Sequence, residues 1–159
     1  MTQTTMTFAL RAAALAGMVM LAACQSAGIG SHGATGVTGS GLAYMTDART
    51  SAALAALSPD SRLERAAIRQ AGYMAASGKM DHTTGWGKDF ATRMAEDGVS
   101  APAAENLAHG RMEMGRVFEM WMQSTGHRRN MLDPRFEKYG LAYATASDGR
   151  RYWALVLGK

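Results

Sequence analysis

Four side chains in this 159-residue sequence have types and surroundings suited to chemistry: His82, Glu105, Ser124 and His127. Two imidazoles and one carboxylate are a minimal set for a divalent cation, and nitrogen donors favour Zn2+. The three lack the tight spacing of a helical two-histidine zinc motif. From the residues alone, each histidine therefore reads first as a hydrogen-bonded structural residue, with Glu105 paired to a nearby arginine. Ser124 and His127, at a helix end, allow a nucleophile and base with Glu105 as the orienting acid. Against that hydrolase reading, no strand-to-helix elbow surrounds Ser124, and a helix C-terminus would oppose a developing negative charge. His109 fits a surface or loop role.

The elements that must position these residues follow from periodicity. A first helix is expected from about Leu42 to Leu57, ending at the Ser58-Pro59 break. A second starts at once, with Ser58 as N-cap, Pro59 at the first helical position, Asp60 in the first turn, Leu63, Ala67, Ala71 and Met74 on one face, and Gly78 as the stop. A third places Trp86, Phe90 and Met94 at i, i+4 and i+8 and ends near Gly98, so His82 lies in the connection between two helices. Pro102 forbids regular helix nearby, and residues 103–108 read as a short extended or irregular segment. The fourth helix carries Met114, Val117, Phe118 and Trp121 on a stripe that must be buried, then turns at Gly126 and presents His127. Tyr139, Leu141 and Tyr143 alternate with Gly140, Ala142 and Ala144 as a strand packed on both faces by neighbours of different size. Asp148-Gly149 turns the chain, and Tyr152 to Leu157 returns as an apolar strand. Helices first and a terminal hairpin last give an α+β fold, a sheet covered by helices. The thirteen methionines fall mostly on core positions or in the leader and read as core filler.

The N-terminus gives the cellular context. Arg11 is the lone charged side chain before Asp47, and it precedes an apolar run from Ala12 to Ala23, too short to span a membrane and suited to a signal peptide. The run ends in Leu21-Ala22-Ala23-Cys24, which resembles a bacterial lipobox, and Cys24 is the one cysteine in the chain. With that thiol lipidated no intrachain disulfide forms, and the fold stands on packing. The expected organisation is a lipoprotein signal peptide over 1–23, lipidated Cys24 and a flexible Gly/Ser/Ala/Thr tether over 24–41 that includes His32, and one domain over 42–159. Losing Arg11 reduces the formal charge from +4 to +3. That mild, interspersed excess argues against a nucleic-acid partner.

Together, Asp81-His82, Ala104-Glu105-Asn106-Leu107-Ala108, Trp121 with Ser124-Thr125-Gly126-His127-Arg128-Arg129-Asn130-Met131-Leu132, Phe136 with Tyr139-Gly140-Leu141-Ala142, and Tyr152-Trp153 carry a resemblance. From Leu42 to Lys159 the chain resembles the CAP superfamily of cysteine-rich secretory proteins, antigen 5 and pathogenesis-related proteins, also called the SCP domain, in its disulfide-free bacterial branch. The resemblance implies a three-layer α-β-α sandwich with a small antiparallel sheet. It also implies a central cavity of two histidines and two acidic residues that in some members binds a divalent cation. By position, His82, Glu105 and His127 match three of the four, while Ser124 stands where many members have glutamate. Ala104 replaces the usual glycine before the motif glutamate. The function expected is a monomeric, lipid-anchored envelope protein, at the periplasmic face of the outer membrane in a Gram-negative host because Gln25 follows Cys24. Its cavity binds a lipid, sterol, peptide or peptidoglycan ligand or an envelope partner, with Zn2+ or another divalent cation on His82 and His127. The alternative is a metal-assisted or serine-type hydrolase of peptide or peptidoglycan, with Glu105, His127 and Ser124 as its catalytic candidates.

Overall fold

The structure, a computed structural model, describes residues 33–159. The signal peptide, Cys24 and His32 lie outside the described residues. The elements in chain order are β1 (Ala34–Gly36), α1 (Leu42–Thr50), β2 (Ser58–Pro59), α2 (Ser61–Ser77), α3 (Phe90–Glu96), β3 (Ala103–Gly110), α4 (Met114–Gln123), α5 (Thr125–Met131), β4 (Lys138–Thr145) and β5 (Arg151–Gly158). The sheet runs β1-β4-β5-β3 with antiparallel neighbours, and β2 adds a short parallel pairing to β4.

Alternation along the hairpin creates the layers, because successive strand residues face opposite sides. Tyr139, Leu141, Trp153, Leu155 and Leu157 pack in one core with Met45 of α1, Val117, Phe118 and Trp121 of α4, and Met131 of α5. Ala142, Ala144, Tyr152, Ala154 and Val156 pack in the other with Leu63, Ala66, Ala67, Ala71 and Met74 of α2 and Met94 of α3. Small side chains on the second face bring α2 down onto the sheet. A Cβ at Gly140 would overlap the backbone of Leu63 and Glu64. The result is the three-layer α-β-α sandwich expected from the sequence.

Several boundaries move, each for a physical reason. Part of the expected tether is built into the fold: Ala34, Thr35 and Gly36 pair with Ala144, Tyr143 and Ala142. Thr38 is buried, its hydroxyl donating to Glu64 Oε1 at 2.8 Å and accepting from the Leu141 amide at 3.0 Å. Main-chain pairing holds this edge strand, so its poor apolar content is no obstacle. The first helix stops at Thr50, and Arg49 draws the following chain across by donating to the Ala55 carbonyl. Ser58 is not an N-cap. Its amide bonds the Glu137 carbonyl at the sheet edge, and Asp60 caps α2 instead, accepting from the Arg62 and Leu63 amides. The helix ends as expected at Gly78, in the left-handed conformation. In the third helix Asp89 is the cap, which leaves Trp86 outside it and fully exposed. Residues 103–108 belong to a regular strand. Gly126 does not turn the chain; the break falls at Ser124, in extended geometry, and Gly126 lies inside α5.

Candidate functional site

The site forms at β3, the edge strand next to β5, whose consecutive residues face opposite layers. Glu105 stands opposite Val156, which packs under α2, and Asn106 stands opposite Leu155, which packs under α4 and α5. Each anchors a different half of the site.

On the first face Glu105 is buried and binds two partners. The Arg93 guanidinium donates to Oε2 at 2.6 Å and to Oε1 at 3.0 Å, while His82 Nδ1 lies 2.8 Å from Oε1. Arg93 also donates to the His82 carbonyl at 3.0 Å and, through Nε, to the Lys88 carbonyl at 3.3 Å. Asp89 positions Arg93 by capping α3. The His82 side chain is 58% exposed, so its imidazole links a buried ion pair to solvent. Its hydrogen bond to Glu105 pushes the His82 pKa above the ordinary imidazole value, against the opposing effects of burial and of Arg93.

On the second face Asn106 ties α5 to the sheet. Its Nδ2 donates to the His127 carbonyl at 3.0 Å, and its Oδ1 accepts from Asn130 Nδ2 at 2.9 Å. His127 Nδ1 is buried without a hydrogen-bond partner among the described residues. Burial, and secondarily the charge of His82, push the His127 pKa below the ordinary value. Trp121 closes the layer beneath, its indole donating to the Leu107 carbonyl at 3.0 Å.

The structure thus joins His82 to Glu105 directly, and His127 feels the charge of His82 without a hydrogen bond to it among the described residues. No hydrogen bond between Ser124 and His127 occurs among the described residues. Ser124 is held by its backbone, its amide bonding the carbonyls of Met120 and Trp121. A cavity of about 300 Å3 is lined by Met122, Gln123, Thr125, Arg128, Arg129 and Leu132, neighbours of Ser124 and His127 but not those residues themselves. His109 is exposed on β3, with its ring 5.6 Å from that of Tyr152.

As metal donors the set is thin. Both Glu105 oxygens are engaged by Arg93, which leaves two imidazoles, and among the described residues no group of three or more His, Cys, Asp or Glu side chains is gathered to hold an ion. A closed zinc site with four protein ligands does not fit this arrangement. Sequence reasoning missed Arg93, Asn106 and Asn130 as parts of the site. Arg93 left a trace, since a buried glutamate must be paired, but nothing in the spacing said with which arginine.

The three-layer sandwich with a histidine–glutamate pair at its outer strand defines a CAP-type domain. Residues 42–157 match the model of the cysteine-rich secretory protein family, CAP, and the chain belongs to that family. A 41-residue stretch is 44% identical to the uncharacterized protein YkwD of Bacillus subtilis, a match that spans 26% of this chain and 16% of that protein. Among solved structures, an outer surface protein of Borrelia burgdorferi superposes with a TM-score of 0.68 at 24% identity, over 74% of this chain and 88% of that one. An extracellular protein containing an SCP domain from Bacillus anthracis gives a TM-score of 0.64 at 21% identity, over 72% of this chain and 37% of that one. At these identities the two structures establish the shared fold alone.

Proposed function

We propose that this is a binding domain of the bacterial cell envelope, anchored by lipid on Cys24, that engages an envelope ligand through the His82 side of β3. The observation that carries this reading is the His82–Glu105 contact. A buried, arginine-held carboxylate fixes a half-exposed imidazole whose second nitrogen has no hydrogen-bond partner among the described residues. Specificity at a binding site comes from a few polar groups placed in this way. Supporting context comes from the lipobox-like Leu21-Ala22-Ala23-Cys24 and from the surface and extracellular origins of the two solved structures. The test is retention of the detergent-solubilised full-length protein on isolated peptidoglycan sacculi. Loss of retention in His82→Ala supports the reading, and undiminished retention overturns it. For the anchor, Cys24→Ser is expected to leave the membrane fraction; a variant that stays bound would refute lipidation.

A divalent cation at this site would have His82 and His127 as its protein ligands, so we expect weak, exchangeable Zn2+ binding. Calorimetric titration with Zn2+ decides this, because equal heats from wild type and a His82→Ala/His127→Ala double variant would remove the metal from the proposal. The hydrolase reading keeps one favourable observation, since a carboxylate-oriented histidine is also how a general base is held. This puts the proton on His82, oriented by Glu105, in place of the Glu105 base or the Ser124–His127 pair expected from the sequence. Muropeptide turnover abolished by His82→Gln would support hydrolysis over simple binding.

A further inference from the structure

We infer that Trp86 is a carbohydrate-stacking platform that extends the His82 site along an uncharged glycan strand. This rests on the binding reading above and names the ligand class. Trp86 is 100% exposed, whereas Trp121 and Trp153 are buried. A bare indole in a loop means little when the loop merely hangs in solvent, but this loop is fixed from below. The buried Gln70 of α2 donates to the Asp81 carbonyl at 2.6 Å, and the buried Arg93 holds the carbonyls of His82 and Lys88. Trp86 lies between the two carbonyls that Arg93 grips, and the same guanidinium grips Glu105. The His82 imidazole and the two ends of the loop that carries Trp86 are therefore tied to one buried ion pair, which confines the ordering a stacked ligand requires to the short Gly85–Gly87 stretch and the indole itself.

The chemistry around the indole selects the ligand. Lys79 and Lys88 are balanced by Asp81 and Asp89 within the loop. Lys88 is turned onto the Tyr73 ring at 4.3 Å, and Asp89 is occupied capping α3. An anionic membrane surface is recognised by clustered lysine and arginine, and this loop has no excess of either. What remains is an apolar indole in a stretch, Thr83 to Gly87, whose polar margin carries no charged side chain. A pyranose ring matches it, with an apolar face for the indole and hydroxyl and amide groups for the margin.

The experiment exploits the burial of the other two indoles, since acrylamide quenching of the full-length protein in detergent reports chiefly on Trp86. A hexamer of β-1,4-linked N-acetylglucosamine is expected to protect this fluorescence and to bind by calorimetry. Trp86→Ala is expected to weaken that binding about tenfold or more, and Trp86→Tyr to retain most of it. Because the side chain is fully exposed among the described residues, both variants are expected to keep the wild-type melting temperature. Absence of protection, equal binding by Trp86→Ala, or protection by phosphatidylglycerol vesicles in place of the glycan each overturns the platform. Sacculus retention that depends on His82 but not on Trp86 sinks the platform alone, whereas hexamer binding that depends on Trp86 but not on His82 separates the platform from the His82 reading.

Discussion

Arg93 and Glu105 form a two-pronged ion pair from which water is excluded, with both oxygens of one held by both terminal nitrogens of the other at 2.6 and 3.0 Å. Removing one partner leaves a buried charge unpaired, so Arg93→Met is expected to cost about 3–5 kcal/mol in urea unfolding. Removing both in Arg93→Met/Glu105→Leu should recover much of that loss, because the desolvation penalty goes with the charges. If the double variant is as unstable as the sum of the single ones, the pair is not the reason for the loss.

The two site histidines are expected to titrate on opposite sides of the ordinary imidazole pKa. His82 is raised chiefly by its bond to Glu105, and His127 is lowered chiefly by burial. The His82 contribution to stability is full below the unfolded-state pKa and fades as pH rises through the raised value. The His127 contribution is present above the unfolded-state pKa and fades as pH falls through the lowered one. NMR titration of the imidazole carbons measures both midpoints. His82→Gln should also lift the His127 midpoint by removing a neighbouring positive charge, and coincident midpoints in the wild type would contradict this electrostatic account.

Asn106 fixes α5 and with it the position of His127. Asn106→Ala leaves the His127 carbonyl and the Asn130 amide without their partner and should cost about 1–3 kcal/mol. The discriminating measurement is the His127 chemical shift. An unchanged shift in the variant would mean that the helix is positioned by packing alone.

The domain begins before the first helix. Deleting residues 1–41 instead of 1–32 removes β1 and the Thr38 contacts, including the bond from the Tyr139 hydroxyl to the Thr38 carbonyl at 2.8 Å. Burial pushes the Tyr139 hydroxyl up to about 12, so it stays protonated and in need of an acceptor. Several lost bonds at about 1 kcal/mol each predict a deficit of about 3 kcal/mol, read from the two denaturation curves. Matching curves would restore this segment to the tether.

Gly140 sets how closely α2 approaches the sheet. A methyl group there meets helix backbone, which has no rotamer to escape into, so Gly140→Ala should cost about 3 kcal/mol or more and lower the melting temperature. Gly126 has open space around it, and Gly126→Ala serves as the tolerated control in the same domain.

By itself the sequence determined the layers and singled out His82, Glu105 and His127, while the arginine and asparagines that hold them went unmarked. The alternation of Tyr139, Leu141 and Tyr143 with Gly140, Ala142 and Ala144 records burial on two unequal faces, and the Met114 to Trp121 stripe records a helix packed on one of them. These patterns are legible because each side chain must match the face it meets. Only the tertiary structure decided which groups touch. Arg93 finds Glu105 across a loop, Asn106 finds Asn130 across α4, and Thr38 finds Glu64 from a segment whose composition reads as linker. Those partnerships depend on distance in space and on main-chain bonding, neither of which leaves a periodic mark on the residue order. For that reason His82 and Glu105 were identifiable as a pair of candidates from sequence, while the arginine that turns them into a fixed, outward-facing imidazole was not.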